Sequence, residues 1–332
     1  MKRMGNPGQF KLFFFIMGLA VGFLVMVSFK RTKSMYCSDG FNKLSGYLLN
    51  KHESTNDVNG SAYKEGIHIG YNDSVASKLK KEVRILCWIL TSPKTIHTKG
   101  KAVKETWGKR CNKLIFMSSE DDPSYPAINL NVTESRENLW DKTRAAFKYV
   151  YKHHLNDADW FLKADDDSFV VMENLRHFLS KYNPDDGHFF GRWFTPFEGY
   201  NSGGAGYALS RKAVREFMKA MNNPWKCPLK YFAEDVAMGN CLGVYNIHPE
   251  DTRDSLGRQT FHPYNLEYHF VPGWIGKDDW LHQYDKYPVE TGPRCCSDHS
   301  TTFHYVDIKS MYIYDYFIHH LFPFGISHVP HS

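Results

Sequence analysis

No basic stripe runs through this 332-residue chain: 41 Lys and Arg against 36 Asp and Glu leave a net charge of +5 spread along its length. So mild and dispersed an excess does not track phosphates, which sets nucleic acid aside as a partner. The cysteines are few, seven in all, and none sits at zinc-site spacing, so disulfides in an oxidising compartment are their expected use. No internal repeat is visible, which excludes a stacked array. The glycine-rich stretch "GYNSGGAGYALS" (Gly199 to Ser210) matches neither G-x-x-x-x-G-K-[ST] nor a post-strand G-x-G-x-x-G, so neither common phosphate-cradling loop is present there. Aromatics, by contrast, are plentiful at 16%, within a hydrophobic content of 42%. That excludes disorder and suffices for one large core or two small ones.

Charge is also missing from "LFFFIMGLAVGFLVMVSF", residues 12–29, near the minimum for spanning a thin bilayer. The rival is a cleaved signal peptide. The run is long for that, and its end in "VSFKRTK" offers no small-residue cleavage site. An uncleaved anchor is expected over 12–29, with a cytoplasmic tail over 1–11. Lys2, Arg3 and Lys11 are balanced by Lys30, Arg31 and Lys33, so flanking charge does not orient the span. The sequons do: Asn59, Asn72 and Asn131, all beyond the span, are acceptors only on the lumenal side. The cysteines agree. Proximity pairs Cys87 with Cys111 and Cys227 with Cys241, leaving Cys295 and Cys296 to a strained vicinal bridge or to other partners. Cys37 is then odd and available to link two chains.

Residues 30–81 are polar, with no sustained apolar period, and read as a lumenal stem; the body is 82–332. "VRILCWILT" and "KLIFMSS" read as strands around a helix in "HTKGKAVKETWGKRC". Leu139, Thr143, Ala146, Phe147 and Val150 recur at helical spacing before the strand "ADWFLKADDDS", then come a helix in "MENLRHFLSKY" and a strand in "GHFFGRWF". This alternation predicts an α/β fold with a mainly parallel, Rossmann-like sheet flanked by helices.

Three adjacent carboxylates, Asp165, Asp166 and Asp167, stand at the carboxyl end of a predicted buried strand. Like charges resist such placement, yet ligands of open α/β sheets bind at such strand ends. A hard divalent cation bridging to nucleotide phosphates supplies the missing positive charge; a solvated acidic turn is the plainer reading. Gly203, Gly204 and Gly206 serve either a turn or a backbone that must approach a flat ligand. Glu234 and Asp235 open an apolar helical stretch, where acids also sit merely to complement the dipole. His304, in "FHYVD", is a metal ligand or a hydrogen-bonded core residue.

These stretches, in order through "KETWGKRCNKLIFMSSE", "DADWFLKADDDS", "EDVAMGNC", "FHPYNLEYH", "GPRCCSD" and "FHYVD", resemble the core 1 β1,3-galactosyltransferases, within the β1,3-glycosyltransferase family that includes the fringe enzymes. The resemblance covers nearly all of residues 84 to 315. It implies a glycosyltransferase A fold, type II Golgi topology, UDP-galactose as donor, manganese as cofactor and GalNAc-bearing glycoproteins as acceptors. It implies Asp165, Asp167 and His304 as metal ligands, Asp235 as the base with Glu234 beside it on the acceptor side, Gly203 and Gly204 on the donor side, and Asp166 there too, either shaping the site or contacting the donor sugar or ribose. A homodimer and a dedicated folding chaperone are further partners it raises. Two departures stand out: Ser168 replaces the more usual Thr, and "GWIGKDDWLHQYDKY" and "NNPWKCPLKYFAED" differ from the relatives, leaving Trp280 as the stacking platform for the acceptor sugar. The rival readings are a β1,3-transferase with another UDP-sugar or acceptor and a non-catalytic chaperone-like relative. That relative lacks the acidic triplet retained here.

Overall fold

The apolar continuity of "ILCWIL" becomes a strand buried on both faces. In β1 (Ile85–Leu90) the side chains alternate, Ile85, Cys87 and Ile89 entering one core and Leu86 and Trp88 the other, as period-2 geometry requires of a central strand. The structure, a computed structural model, describes residues 73–225, 227–321 and 323. The anchor expected at 12–29, Cys37, Asn59 and Asn72 lie outside the described residues. Among the described residues no helix is long and apolar enough to cross a membrane.

The remaining strands are β2 (Lys113–Ser118), β3 (Ala127–Asn129), β4 (Trp160–Asp165), β5 (Phe169–Val170), β6 (Phe189–Gly191), β7 (Trp193–Phe194), β8 (Tyr200–Asn201), β9 (Tyr207–Ser210), β10 (Pro249–Glu250), β11 (Phe261–His262) and β12 (Thr302–Phe303). Seven strands form one sheet in the order β10-β6-β9-β4-β1-β2-β3. All run parallel except β9, which is antiparallel to both β4 and β6. The expected mainly parallel α/β sheet is therefore present. A smaller sheet, β11-β12-β5, stands beside the end of β4, and β7 and β8 form a hairpin. The helix Leu139–His154 buries Thr143, Ala146, Phe147 and Val150, the stripe read from the sequence.

Three local readings change. The segment expected to run as stem to residue 81 ends in a helix, Ser74–Glu82, with no fully buried residue, which is why it shows no apolar period. Asn112 Nδ2 donates to the Lys80 carbonyl at 2.8 Å. The single helix expected over 97–111 breaks into a π turn (Ile96–Gly100), a short α-helix (Lys101–Glu105) and a 3-10 turn (Trp107–Arg110). Trp107 is drawn into the core, its indole N–H donating to Ser168 O at 2.9 Å, and Cys111 is tied to Cys87. "GHFFGRWF" is two strands, parted at Arg192, whose buried guanidinium pairs with Asp285 and donates to Phe261 O at 3.2 Å.

Both pairings read from proximity are present, Cys87–Cys111 and Cys227–Cys241, and Cys295–Cys296 take the vicinal alternative.

Candidate active site

The backbone turns sharply after β4 and deals its three carboxylates to different tasks. Asp166 points inward, 8% exposed, with Oδ2 accepting from the hydroxyls of Thr91 (2.7 Å) and Thr95 (2.6 Å). Burial pushes its pKa up, against those two hydrogen bonds. Its bonds brace the turn, so of the donor-side roles expected of Asp166 the geometry favours shaping the site.

Asp165 and Asp167 face His304. The three offer ligand atoms that all lie within 4.8 Å of one another: His304 Nε2 is 3.3 Å from Asp167 Oδ1 and 3.8 Å from Asp165 Oδ2. β12 brings the histidine here by pairing antiparallel with β5, Phe303 opposite Phe169, and Val306 N–H donates to Asp167 O at 2.9 Å. His304 Nδ1 lies 3.3 Å from the Pro263 carbonyl. A carbonyl only accepts, so Nδ1 carries a proton and Nε2 is the ring atom turned toward the carboxylates. Two hard oxygens and one imidazole, each with a single atom turned to a common point, suit a divalent ion with open positions. Burial tends to raise Asp167, but the bond to His304 and the ammonium of Lys99 override it and hold the carboxyl well below the usual range.

The second half of the site gathers around Gly203. Its N–H donates to Asp235 Oδ2 at 2.9 Å, and its carbonyl accepts from Lys163 Nζ at 2.9 Å. Lys163 in turn reaches Asp165 Oδ1 at 2.7 Å, so one glycine joins the metal-type cluster to Asp235. The Asp235 carboxylate sits in the first turn of the helix Glu234–Gly243; burial raises its pKa despite the Gly203 bond, which favours proton acceptance. Glu234 turns the other way. Its Oε1 accepts from Tyr207 (2.6 Å) and Thr143 (3.1 Å), and Oε2 lies 3.9 Å from Lys163. Through these bonds it braces the floor of the cleft. The glycines also have a reason within the protein itself. A Cβ at Gly203 would lie 2.8 Å from Glu234 Oε2, and one at Gly204 only 2.2 Å from the His304 ring; the close approach is to the protein's own side chains.

Asp165, Asp166, Asp167, His304, Glu234 and Asp235 line one cleft of about 600 Å³. Trp280, 41% exposed, forms its wall with Phe194 at 5.6 Å and Tyr284 at 5.4 Å between ring centroids, and Tyr231, Phe232 and Tyr305 extend the aromatic lining. Asn131 is exposed in a left-handed turn (φ 53°), away from the sheet core. Lys163, Lys99 and Lys142 escaped notice in the sequence. Lys142 Nζ is buried against Glu134 and the Thr91 carbonyl at 2.7 Å. A signal existed: Lys163 interrupts a strand otherwise wholly apolar up to Asp165, and a lysine there needs anionic partners.

A Fringe-like family model matches residues 81–252. Over 308 residues the chain is 40% identical to glycoprotein-N-acetylgalactosamine 3-beta-galactosyltransferase 1 of Xenopus laevis, covering 92% of this chain and 84% of that protein. It is 27% identical over 154 residues to the beta-1,3-glucosyltransferase of Mus musculus, 44% of this chain and 31% of the relative. It is 24% identical over 178 residues to chondroitin sulfate synthase 3 of Mus musculus, 46% of this chain and 20% of that protein.

Proposed function

The chain belongs to the Fringe-like family of glycosyltransferases, and from that membership we propose that it transfers galactose from UDP-galactose to O3 of α-linked GalNAc on Ser or Thr of a glycoprotein. The observation that carries this reading is the shared cleft, in which Asp235, held by Gly203, lies on the same lining as the Asp165–Asp167–His304 cluster.

The reaction inverts the anomeric centre. The acceptor hydroxyl attacks C1 of galactose from the face opposite UDP; the new C–O bond forms as the bond to the β-phosphate oxygen breaks, and UDP leaves with that electron pair. Asp235 takes the hydroxyl proton, a contribution typically worth ~10²–10⁴ in rate. A manganese ion held by Asp165, Asp167 and His304 would steady the charge that gathers on the departing diphosphate. Trp280 and its aromatic neighbours offer a face for the apolar side of the acceptor sugar.

A Golgi location belongs to the same reading, with residues 12–29 as a type II anchor and the body lumenal. Three disulfides and an exposed Asn131 sequon support it. The full chain, incubated with UDP-galactose, manganese and a GalNAc-α-Thr peptide, is expected to release UDP and form Galβ1-3GalNAc. Turnover of UDP-N-acetylglucosamine in its place, or of neither donor, overturns the donor assignment.

A further inference from the structure

Each carboxylate of the metal-type cluster has its two oxygens divided between a lysine and the histidine. Asp165 gives Oδ1 to Lys163 Nζ at 2.7 Å and turns Oδ2 toward His304 Nε2 at 3.8 Å. Asp167 gives Oδ2 to Lys99 Nζ at 2.9 Å and turns Oδ1 toward the same nitrogen at 3.3 Å. The two ammonium groups come from different elements. Lys163 lies within β4, its side chain 2% exposed, and Lys99 comes from the π turn, its side chain 35% exposed. Lys99 also stands 3.8 Å from Asp166, and Lys163 reaches the Gly203 carbonyl.

A carboxylate with one oxygen fixed by an ammonium presents the other oxygen singly. Each ammonium group also offsets the pull of its own carboxylate on a cation, so a diphosphate restores the attraction the lysines take away. We propose that Lys99 and Lys163 are positioning residues that limit Asp165 and Asp167 to one metal-facing oxygen each, making metal retention depend on the nucleotide diphosphate. This role for the lysines rests on the metal-dependent reading of the site.

Lys99 is the residue to perturb, because it is partly in solvent whereas Lys163 is enclosed by the core. Manganese binding to the full chain is measured by the loss of the free-ion electron paramagnetic resonance signal, with and without UDP, in the wild type, Lys99→Met and Lys99→Arg. In the wild type UDP is expected to tighten manganese binding strongly. Lys99→Met is expected to bind manganese alone about tenfold more tightly, since a cation beside the ligand has gone, and to gain correspondingly less from UDP. Lys99→Arg keeps the charge and is expected to match the wild type. A wild type that binds no manganese even with UDP defeats the metal reading itself. A wild type that binds normally while Lys99→Met binds manganese alone no more tightly, or more weakly, overturns the role given to the lysine.

Discussion

A single methyl group at Gly204 tests whether the placement of His304 governs the site. The Cβ of Gly204→Ala would lie 2.2 Å from His304 Cε1 and 2.4 Å from Nδ1. Ordinary carbon contacts begin near 3.5 Å, so the ring must withdraw by about 1.3 Å or the Gly204 segment must shift. The ring has little freedom: Nδ1 is bonded to Pro263 O at 3.3 Å, and the Tyr305 ring lies 3.9 Å away between centroids. On the other side, Gly204 O accepts from Ser168 Oγ at 3.1 Å. Overpacking of this kind costs about 1–3 kcal/mol, and a displacement near 1 Å in a reacting site costs on the order of 10²-fold in rate. Gly204→Ala is therefore expected to remain folded, to lose manganese-dependent UDP affinity by calorimetry and to transfer galactose about 10²-fold more slowly. A double-mutant cycle isolates the cause. In a His304→Ala background the ring is gone, so adding Gly204→Ala should cost little further stability. If Gly204→Ala binds UDP and manganese as the wild type does, or if its stability cost persists without the imidazole, the reasoning is refuted.

Four other perturbations separate roles. Asp235→Asn keeps the size and an acceptor for the Gly203 N–H, so UDP and manganese binding should survive while transfer falls by ~10²–10⁴; wild-type turnover would remove Asp235 as base. Because burial raises the Asp235 pKa, kcat/KM should fall as pH drops through that raised value, and a limb that stays flat in acid would tell against it. Reduction of Cys87–Cys111, whose loop clips β1 to β2, should lower stability by about 2–5 kcal/mol in denaturant titrations, and an unchanged midpoint in the reduced protein contradicts this. His319 lies 3.1 Å from Asp315 and 3.3 Å from Glu173, beside Arg110 and Lys109; burial would lower its pKa, but the two carboxylates raise it. Its stabilisation should be complete below the ordinary value of about 6.5 and lost as pH rises through the folded value. The Tm gap between wild type and His319→Gln should accordingly shrink from pH ~6 to pH ~9, and a constant gap would show that the pair does not act through charge.

The sequence by itself determined the central strands β1, β2 and β4 and the side of the sheet that carries chemistry. Residues 85–90, and 160–164 apart from Lys163, are apolar on both faces, which only a sheet covered on both sides accommodates, and the acidic triplet stands where such a strand ends. Two disulfides were legible because their cysteines lie close in the chain, 24 and 14 positions apart. Tertiary structure decided the rest, since it depends on contacts far apart in the chain. His304 meets Asp165 and Asp167 only because β12 pairs with β5. Adjacent Glu234 and Asp235 look interchangeable in sequence, yet the helix start turns one toward Tyr207 and Thr143 and the other toward Gly203. The partners of the acidic triplet are likewise a matter of folding: two lysines, 64 positions apart, are brought to opposite oxygens of neighbouring carboxylates because burying those charges costs too much without them.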